Sequence, residues 1–586
     1  MRYVVWSLAV LTIGLGRLAV PAQPNEDAKL AAFFKRYLEA EFAASPTYAT
    51  RLGDHRFDDK LDDLSAEALA ANLARTRAAL AELPKQVDYK KLTRDGQIDY
   101  EILQGHLQRS LWLADNTNVW ANDPRIYNEY TSDSVFLILT QSTLPQPRNV
   151  QNAISRIREI PKILTAAKAN LKNPPAVMVE TAKRQNQGAI NFYAGGILEV
   201  AGEKPGSDLD KAAKAVVPAL REYQQFLETE LAPRANGEWR LGKERFAKKL
   251  ELELEADVNA EQVLKQAEAE VERVTTEMYV IARQLWQSCY PEEPLPPDDP
   301  AGRRETIRRV LAHLSQDHGE AKDLVRDARA TVKDICDFIR QRDILRLPEP
   351  DRCQIIEMPE FQRGNSVAYL NPAPPLDPTA VSHYAISPPP RDWDARRVQS
   401  YLEEYNRAML QLLTIHEAYP GHYVQLEYSN RHPSLIRRVL YSGTFAEGWA
   451  VYTEQMLLDQ GYGRGNLSLR LHQLKWYLRA VVNAILDYRM HCTNMTDEEA
   501  MRLLVEVAFQ SEAEAIGKII RAKQSSCQLS TYFVGRMAFY RLRQAIAREQ
   551  GPRFHLGRFH EAVLAHGTLP VRYLPELTRA RLALPR

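Results

Sequence analysis

The stretch Thr414-Ile415-His416-Glu417-Ala418-Tyr419-Pro420-Gly421-His422 puts two imidazoles and a carboxylate within nine positions. Two neutral imidazoles on one divalent metal, with a carboxylate beside an open coordination position, form the donor set that activates water for hydrolysis. The spacing differs from the H-E-x-x-H pattern, because His416 and His422 are six positions apart. At 3.6 residues per turn, two such residues lie ~120° off a common face. They cannot share a metal from a regular helix. Pro420-Gly421 stands between them. Proline lacks a backbone donor and clashes with the carbonyl four residues back, here that of His416. Glycine permits backbone angles that other residues avoid. The helix is therefore expected to end or distort between Ala418 and His422, with His422 on the distorted turn or on a second segment through Tyr428. The imidazole nitrogens would then converge to about 3–3.5 Å, the spacing set by Zn–N bonds of ~2.0–2.1 Å in a tetrahedron. Glu417 would sit beside the open position without being a ligand.

A catalytic metal also needs a third protein ligand. Glu447 lies 25 positions beyond His422, among apolar and small residues in Phe445-Ala446-Glu447-Gly448-Trp449. A lone carboxylate in such a setting is expensive to bury. The residues alone leave two readings open: a metal site on His416, His422 and Glu447, or a buried His–Glu network without metal. Residues 471–491 form an apolar helical pattern broken at every fourth position by Arg479, Asn483, Asp487 and His491, a polar stripe on one face. It reads either as a structural network between packed helices or as a place from which Asn483 or Asp487 orients a metal-bound histidine.

The elements that carry these groups are expected to be helices. Glycine is only 26 of 586 residues, below the usual ~7%, and Ala, Leu, Glu and Arg are abundant, which favours helix. Hydrophobic residues are 45% and charged residues 26%, ordinary for a globular protein, which excludes a disordered chain, a fibre or a small disulfide scaffold. Lys+Arg is 76 against 75 Asp+Glu, so nothing global favours nucleic acid or an anionic membrane. Five scattered cysteines are too few for a disulfide framework or a thiolate metal site. Apolar periodicity predicts helices over 64–83, 100–113 and 259–285, the last capped by Asp257 or Asn259. Short apolar runs at 353–357, 367–370 and 381–386 predict strands of a small sheet. After three prolines at 388–390, a helix is expected from Asp394 to Tyr419, with helices to the end. A soft boundary near residue 346 would separate a helical lobe, 23–345, from a catalytic lobe, 346–586. At the start, one charge at Arg2, an apolar run over 4–15 and small residues at Val20 and Ala22 predict a secretory signal peptide, residues 1–22. The other reading is a short uncleaved anchor, although the run is too short to span ~30 Å of hydrocarbon stably. No cysteine follows Ala22, so a lipid anchor there is not expected. No later segment reaches the length of a span, so the mature protein is expected to be secreted or periplasmic, with no stable membrane span.

Several stretches together resemble a widespread bacterial family, the domain of unknown function 885, which has an H-E-x-x-P-G-H motif and is regarded as related to the gluzincin zinc metallopeptidases. They are Ser45-Pro46-Thr47-Tyr48-Ala49-Thr50-Arg51-Leu52-Gly53, Leu241-Gly242-Lys243-Glu244, Glu357-Met358-Pro359-Glu360-Phe361, Tyr384-Ala385-Ile386-Ser387-Pro388, the motif itself, Ser442 to Trp449, and Phe559-His560-Glu561-Ala562-Val563-Leu564. The resemblance spans essentially the whole mature chain. It implies a mainly α, large helical gluzincin-like fold with a small β-sheet beside the active-site helix. It implies Zn2+ on His416, His422 and Glu447, with Glu417 as general base, and fold-level analogy suggests short peptides as substrates. Hydrolysis of another amide, or a catalytically inactive peptide-binding relative, are the alternatives; an intact Glu417 argues against the last. Gln528, Tyr532 and Gly535 fit a family segment written P-G-Q-A-x-x-Y-x-x-G, although Ser526-Cys527 stand where Pro-Gly is usual. Tyr532 would either donate to an oxyanion or pack on an amphipathic helix. His560 fits the family and His566 does not; a surface or capping role is expected for both. Gluzincins commonly bind an extended peptide on an edge strand, for which Val367-Ala368-Tyr369 and His383-Tyr384-Ala385-Ile386 are the candidates.

Overall fold

A computed structural model describes residues 25–358 and 368–584. The signal-peptide reading of residues 1–22, the stretch Pro359-Glu360-Phe361 and Val367 lie outside these residues. Helices dominate. The longest, Ala260–Cys289, starts with a reciprocal cap: the Asn259 side chain accepts from Gln262 N, and the Gln262 side chain accepts from Asn259 N. This satisfies two backbone donors that a helix start otherwise leaves open, and Asn259 rather than Asp257 is the cap. The helices expected over 64–83 and 100–113 are Ala66–Gln86 and Arg94–Thr117. The single helix expected from Asp394 to Tyr419 is two, Ala395–Glu404 and Arg407–Glu417. The second begins because the Asn406 side chain accepts from the backbone N–H groups of Ala408 and Met409, a local bond that competes with continuing the first helix.

Three strands form a small mixed sheet: β1 (Cys353–Glu357), β2 (Ala368–Asn371) and β3 (Ser382–Ile386). β3 is central, parallel to β1 with Cys353 opposite Ser382, and antiparallel to β2 with Ala368 opposite Ile386. His383–Ile386 is therefore not an edge, and of the two candidate peptide-binding strands only β2 is an outer strand of the described sheet.

Side chains from both sides of residue 346 share cores. One cluster joins Leu30, Phe34 and Leu107 to Ile415, Trp449 and Phe559, and a second joins Phe246, Met278 and Val310 to Leu478 and Phe533. A third, including Tyr127, Ile157, Tyr193 and Leu220, draws only on residues before 346. The change of sequence texture near 346 thus marks the onset of the sheet and not a division of the packing. All five cysteines are free. Among the described residues, no helix is long and apolar enough to cross a membrane.

The crossing of Gly443–Asp459 with Thr531–Gln550 sets the wall of the site described below. Here two glycines meet: a Cβ on Gly448 would run into the Cα of Gly535, and one on Gly535 into the carbonyl oxygen of Thr444. Neither helix can yield, because the obstacles are backbone. Gly448→Val is expected to lower the thermal unfolding midpoint by ~1–3 °C, since overpacking a rigid contact costs roughly 1–3 kcal/mol and the unfolding entropy of a chain this long is about 1.2 kcal/mol/K. Scanning calorimetry reads this, and an unchanged midpoint would show that the crossing is not tight.

Candidate metal centre

The helix Arg407–Glu417 ends one residue after His416, and His422 opens a new helix, His422–Asn430. The expected break is present, and the second segment runs past Tyr428 to Asn430. The N–H groups of Ala418 and Tyr419 both close on the carbonyl of Thr414, at 3.0 and 3.1 Å. Pro420 has no N–H to continue the ladder. Its carbonyl instead accepts from the buried Trp449 indole at 2.8 Å. A Cβ on Gly421 would overlap the carbonyl oxygens of His416 and Ile415, so the turn folds back tightly enough that only glycine fits.

The break brings the two imidazoles together. Their ring centroids are 4.8 Å apart and the rings are nearly perpendicular at 87°. Glu447 Oε2 lies 3.8 Å from His416 Nε2 and 3.6 Å from His422 Nε2. One donor atom from each of the three falls within 4.8 Å of the others. These carboxylate–imidazole separations are slightly wider than a closed zinc tetrahedron sets, and the three side chains converge on one point.

Charge supports a cation there. Burial opposes ionisation of Glu447, but the nearby His422 imidazole, with His416 beyond, holds its carboxyl below the usual range. Burial also works against the charged form of His422, yet Glu447 outweighs it and raises this imidazole above its ordinary value. Burial, then repulsion from His422, lowers His416. Glu454 is buried completely and burial pushes its carboxyl well above the usual range. Its Oε1 meets His416 Nδ1 at 2.7 Å and accepts from Trp476 Nε1 at 3.1 Å. This fixes the His416 ring and leaves Nε2 for the centre, the arrangement that orients metal-binding histidines. Glu417 and Glu447 both place negative charge near the two histidines, which a cation would offset.

Glu417 is not one of the three converging residues but lies near both histidines. Its Oε2 accepts from Leu370 N on β2 at 3.0 Å, and its side chain lines, with His416, a cleft of about 720 Å³. Tyr532 lines the same cleft. Its hydroxyl accepts from Arg521 at 3.1 Å and from Gln528 at 3.2 Å, while burial and the charge of Glu447 raise its pKa.

The polar stripe is a structural network. Asp487 accepts from Cys527 N at 3.0 Å and Ser530 Oγ at 2.8 Å, anchoring the turn before the Tyr532 helix. Cys527 occupies the left-handed region at φ 70°, a conformation glycine takes without strain, and the Asp487 bond holds it. Asn483 lines the cleft, but its Oδ1 is buried without a hydrogen-bond partner. Neither residue bonds to His416 or His422, so neither has the orienting role. The residue that does bond to His416 is Glu454; it stands two turns after Glu447 on the same apolar helix, and that spacing is its signal in the sequence. His560, expected at a surface or cap, is instead buried between Ile344 O and the Tyr452 hydroxyl at 2.8 Å each, and so braces the core.

Comparisons with known proteins give a family and a fold. The family model described as "Bacterial protein of unknown function (DUF885)" matches residues 46–577. A solved structure from Shewanella oneidensis, provisionally described as a lipoprotein of unknown function, is 31% identical, with a TM-score of 0.79 over 94% of this chain and 99% of that one. Another from Colwellia psychrerythraea, provisionally described as a lipoprotein, is 19% identical, with a TM-score of 0.76 over 95% and 99%; at that identity it shows the fold alone. No curated protein matched the chain.

Glu454→Ala is expected to weaken zinc binding ~10–100-fold, the usual effect of losing an orienting partner, whereas Asp487→Asn should leave it unchanged. Competition against a chelator measures both. Equal effects of the two substitutions would return the orienting role to the polar stripe.

Proposed function

Because the chain belongs to the DUF885 family of bacterial proteins of unknown function, a name that carries no chemistry, we propose its activity from its site: an exported, gluzincin-like zinc metallopeptidase acting on short peptides. The observation that carries this reading is the convergence of His416, His422 and Glu447 across the broken helix, with Glu417 beside them on an open cleft. His416, His422 and Glu447 would hold Zn2+. When bound, the ion would supply Lewis acidity toward a scissile carbonyl and make water a better nucleophile at neutral pH.

The chain's own residues do the rest. Glu417, held by the Leu370 amide, takes the proton from the attacking water and returns it to the leaving amine. Tyr532, its hydroxyl already accepting from Arg521 and Gln528, has its own proton free to donate to the oxyanion. β2 runs beside Glu417, and an extended peptide laid along it would present a scissile bond to that carboxylate. The signal-peptide pattern supports export, and the relative from Shewanella oneidensis, provisionally described as a lipoprotein, supports a place in the cell envelope.

Digestion of a peptide library by the purified protein tests the reading. Cleavage is expected to stop on chelation and return with zinc. Glu417→Gln should retain zinc but lose at least ~10²-fold in kcat/KM, the scale of general-base catalysis. Cleavage that survives both treatments would contradict the assignment. Zinc binding without cleavage would shift it to another amide, and neither would leave a binding protein.

A further inference from the structure

Four basic side chains, Arg397, Arg479, Lys518 and Arg521, and three acidic ones, Glu404, Glu417 and Glu514, line the cleft over the centre. Helix Glu512–Gln524 presents Glu514, Gly517, Lys518 and Arg521 to it, a spacing of three and four residues that puts them on one face. Glu514 and Glu404 are already engaged: Arg479 Nη1 lies 3.1 Å from Glu514 and 3.7 Å from Glu404, and Lys475 lies 3.1 Å from Glu404. Arg397, also on the wall, stacks on Trp393 at 4.4 Å. Lys518 and Arg521 remain. Among the described residues, neither has a carboxylate within ion-pair distance, and Arg521 spends one nitrogen on two neutral acceptors, Gln528 and Tyr532. A Cβ on Gly517 would meet nothing within 4 Å, so the helix face beside Lys518 is open.

Lys518 is half-buried and Arg521 exposed at the rim beside it; a partly buried cation without a counter-charge is costly, and an incoming anion would offset that cost. Burial, with repulsion from Arg479 and Arg521, lowers Lys518 to about 7, which an incoming negative charge would reverse. Arg521 reaches the Tyr532 hydroxyl, so such an anion would lie beside the metal trio. We infer that Lys518 and Arg521 form a subsite for a carboxylate of the substrate, and that this carboxylate is the free C-terminus, which restricts cleavage to bonds close to the C-terminal end. The inference rests on the peptidase reading for the identity of the ligand, and the subsite itself can be tested without turnover.

Titration calorimetry on the full-length zinc-loaded Glu417→Gln protein would use three probes: acetyl-tetra-alanine with a free carboxylate, its C-terminal amide, and an amidated counterpart with one alanine replaced by glutamate. The free acid should bind about tenfold more tightly than the plain amide, as expected for one charge-assisted contact. Lys518→Met should erase the difference and Lys518→Arg restore it. Arg521→Gln, on the exposed rim, gives a second variant should Lys518→Met fail to fold. If the glutamate peptide shows the preference instead of the free acid, the carboxylate subsite stands and the C-terminal assignment falls. Equal binding of all three probes, no binding, or a preference that survives both Lys518→Met and Arg521→Gln overturns the subsite. Parallel digestion by the unsubstituted protein separates the two readings. Discrimination without cleavage retires the peptidase and keeps the subsite, and cleavage without discrimination does the reverse.

Discussion

A helix that cannot continue past Glu417 is the constraint on which the centre depends. Had Arg407–Glu417 run on, His422 would face away from His416, and Glu447 would have one imidazole to meet. The chain stops it with a proline that cannot donate and a glycine whose Cβ would overlap the preceding turn. The broken end is then held from several directions. Trp449 donates to Pro420 O, which ties the break to the helix carrying Glu447. The hydroxyls of Tyr419 and Tyr423, on either side, both bond to Asp351 at 2.7–2.8 Å, just before β1. Two elements distant in sequence therefore fix one turn, and the position of two imidazoles follows from it.

A second constraint, the glycine-to-glycine crossing at Gly448 and Gly535, decides what faces those imidazoles. The close approach brings the residue before Gly448, Glu447, within electrostatic reach of the residue three before Gly535, Tyr532, which lines the cleft. Seven positions after Glu447, Glu454 reaches back to His416. Buried charge is thus concentrated at one place, as it often is at functional sites. The rest of the fold behaves more plainly: helices capped by Asn and Ser, and apolar faces packed into three cores.

The break was legible in the sequence because it follows from covalent chemistry: proline and glycine between two histidines allow few backbones. The three strands were legible for a similar reason, since short apolar runs bounded by Pro, Gly and Asn permit little else. What was not legible depended on tertiary partners. Asn406 gave no sign that it would cap a new helix in preference to lying within one, because both choices suit an asparagine locally. The stripe of Asn483 and Asp487 had the right residue types for orienting a histidine, but its direction was set by packing against the turn at Cys527–Ser530. Glu454 and the cleft cations Lys518 and Arg521 sit in ordinary amphipathic patterns, and only the surrounding helices give them their roles. The continuity of the cores across residue 346 is likewise a property of contacts between segments hundreds of positions apart.

X-ray absorption at the zinc edge of the metal-replete protein tests most directly whether the broken helix builds a metal centre. The account predicts one zinc per chain, with two imidazole nitrogens near ~2.0–2.1 Å and carboxylate or water oxygen completing a shell free of sulfur. His422→Ala should remove one imidazole from that shell. A protein that binds no zinc, a shell containing sulfur, or a His422→Ala spectrum identical to that of the unsubstituted chain would contradict it.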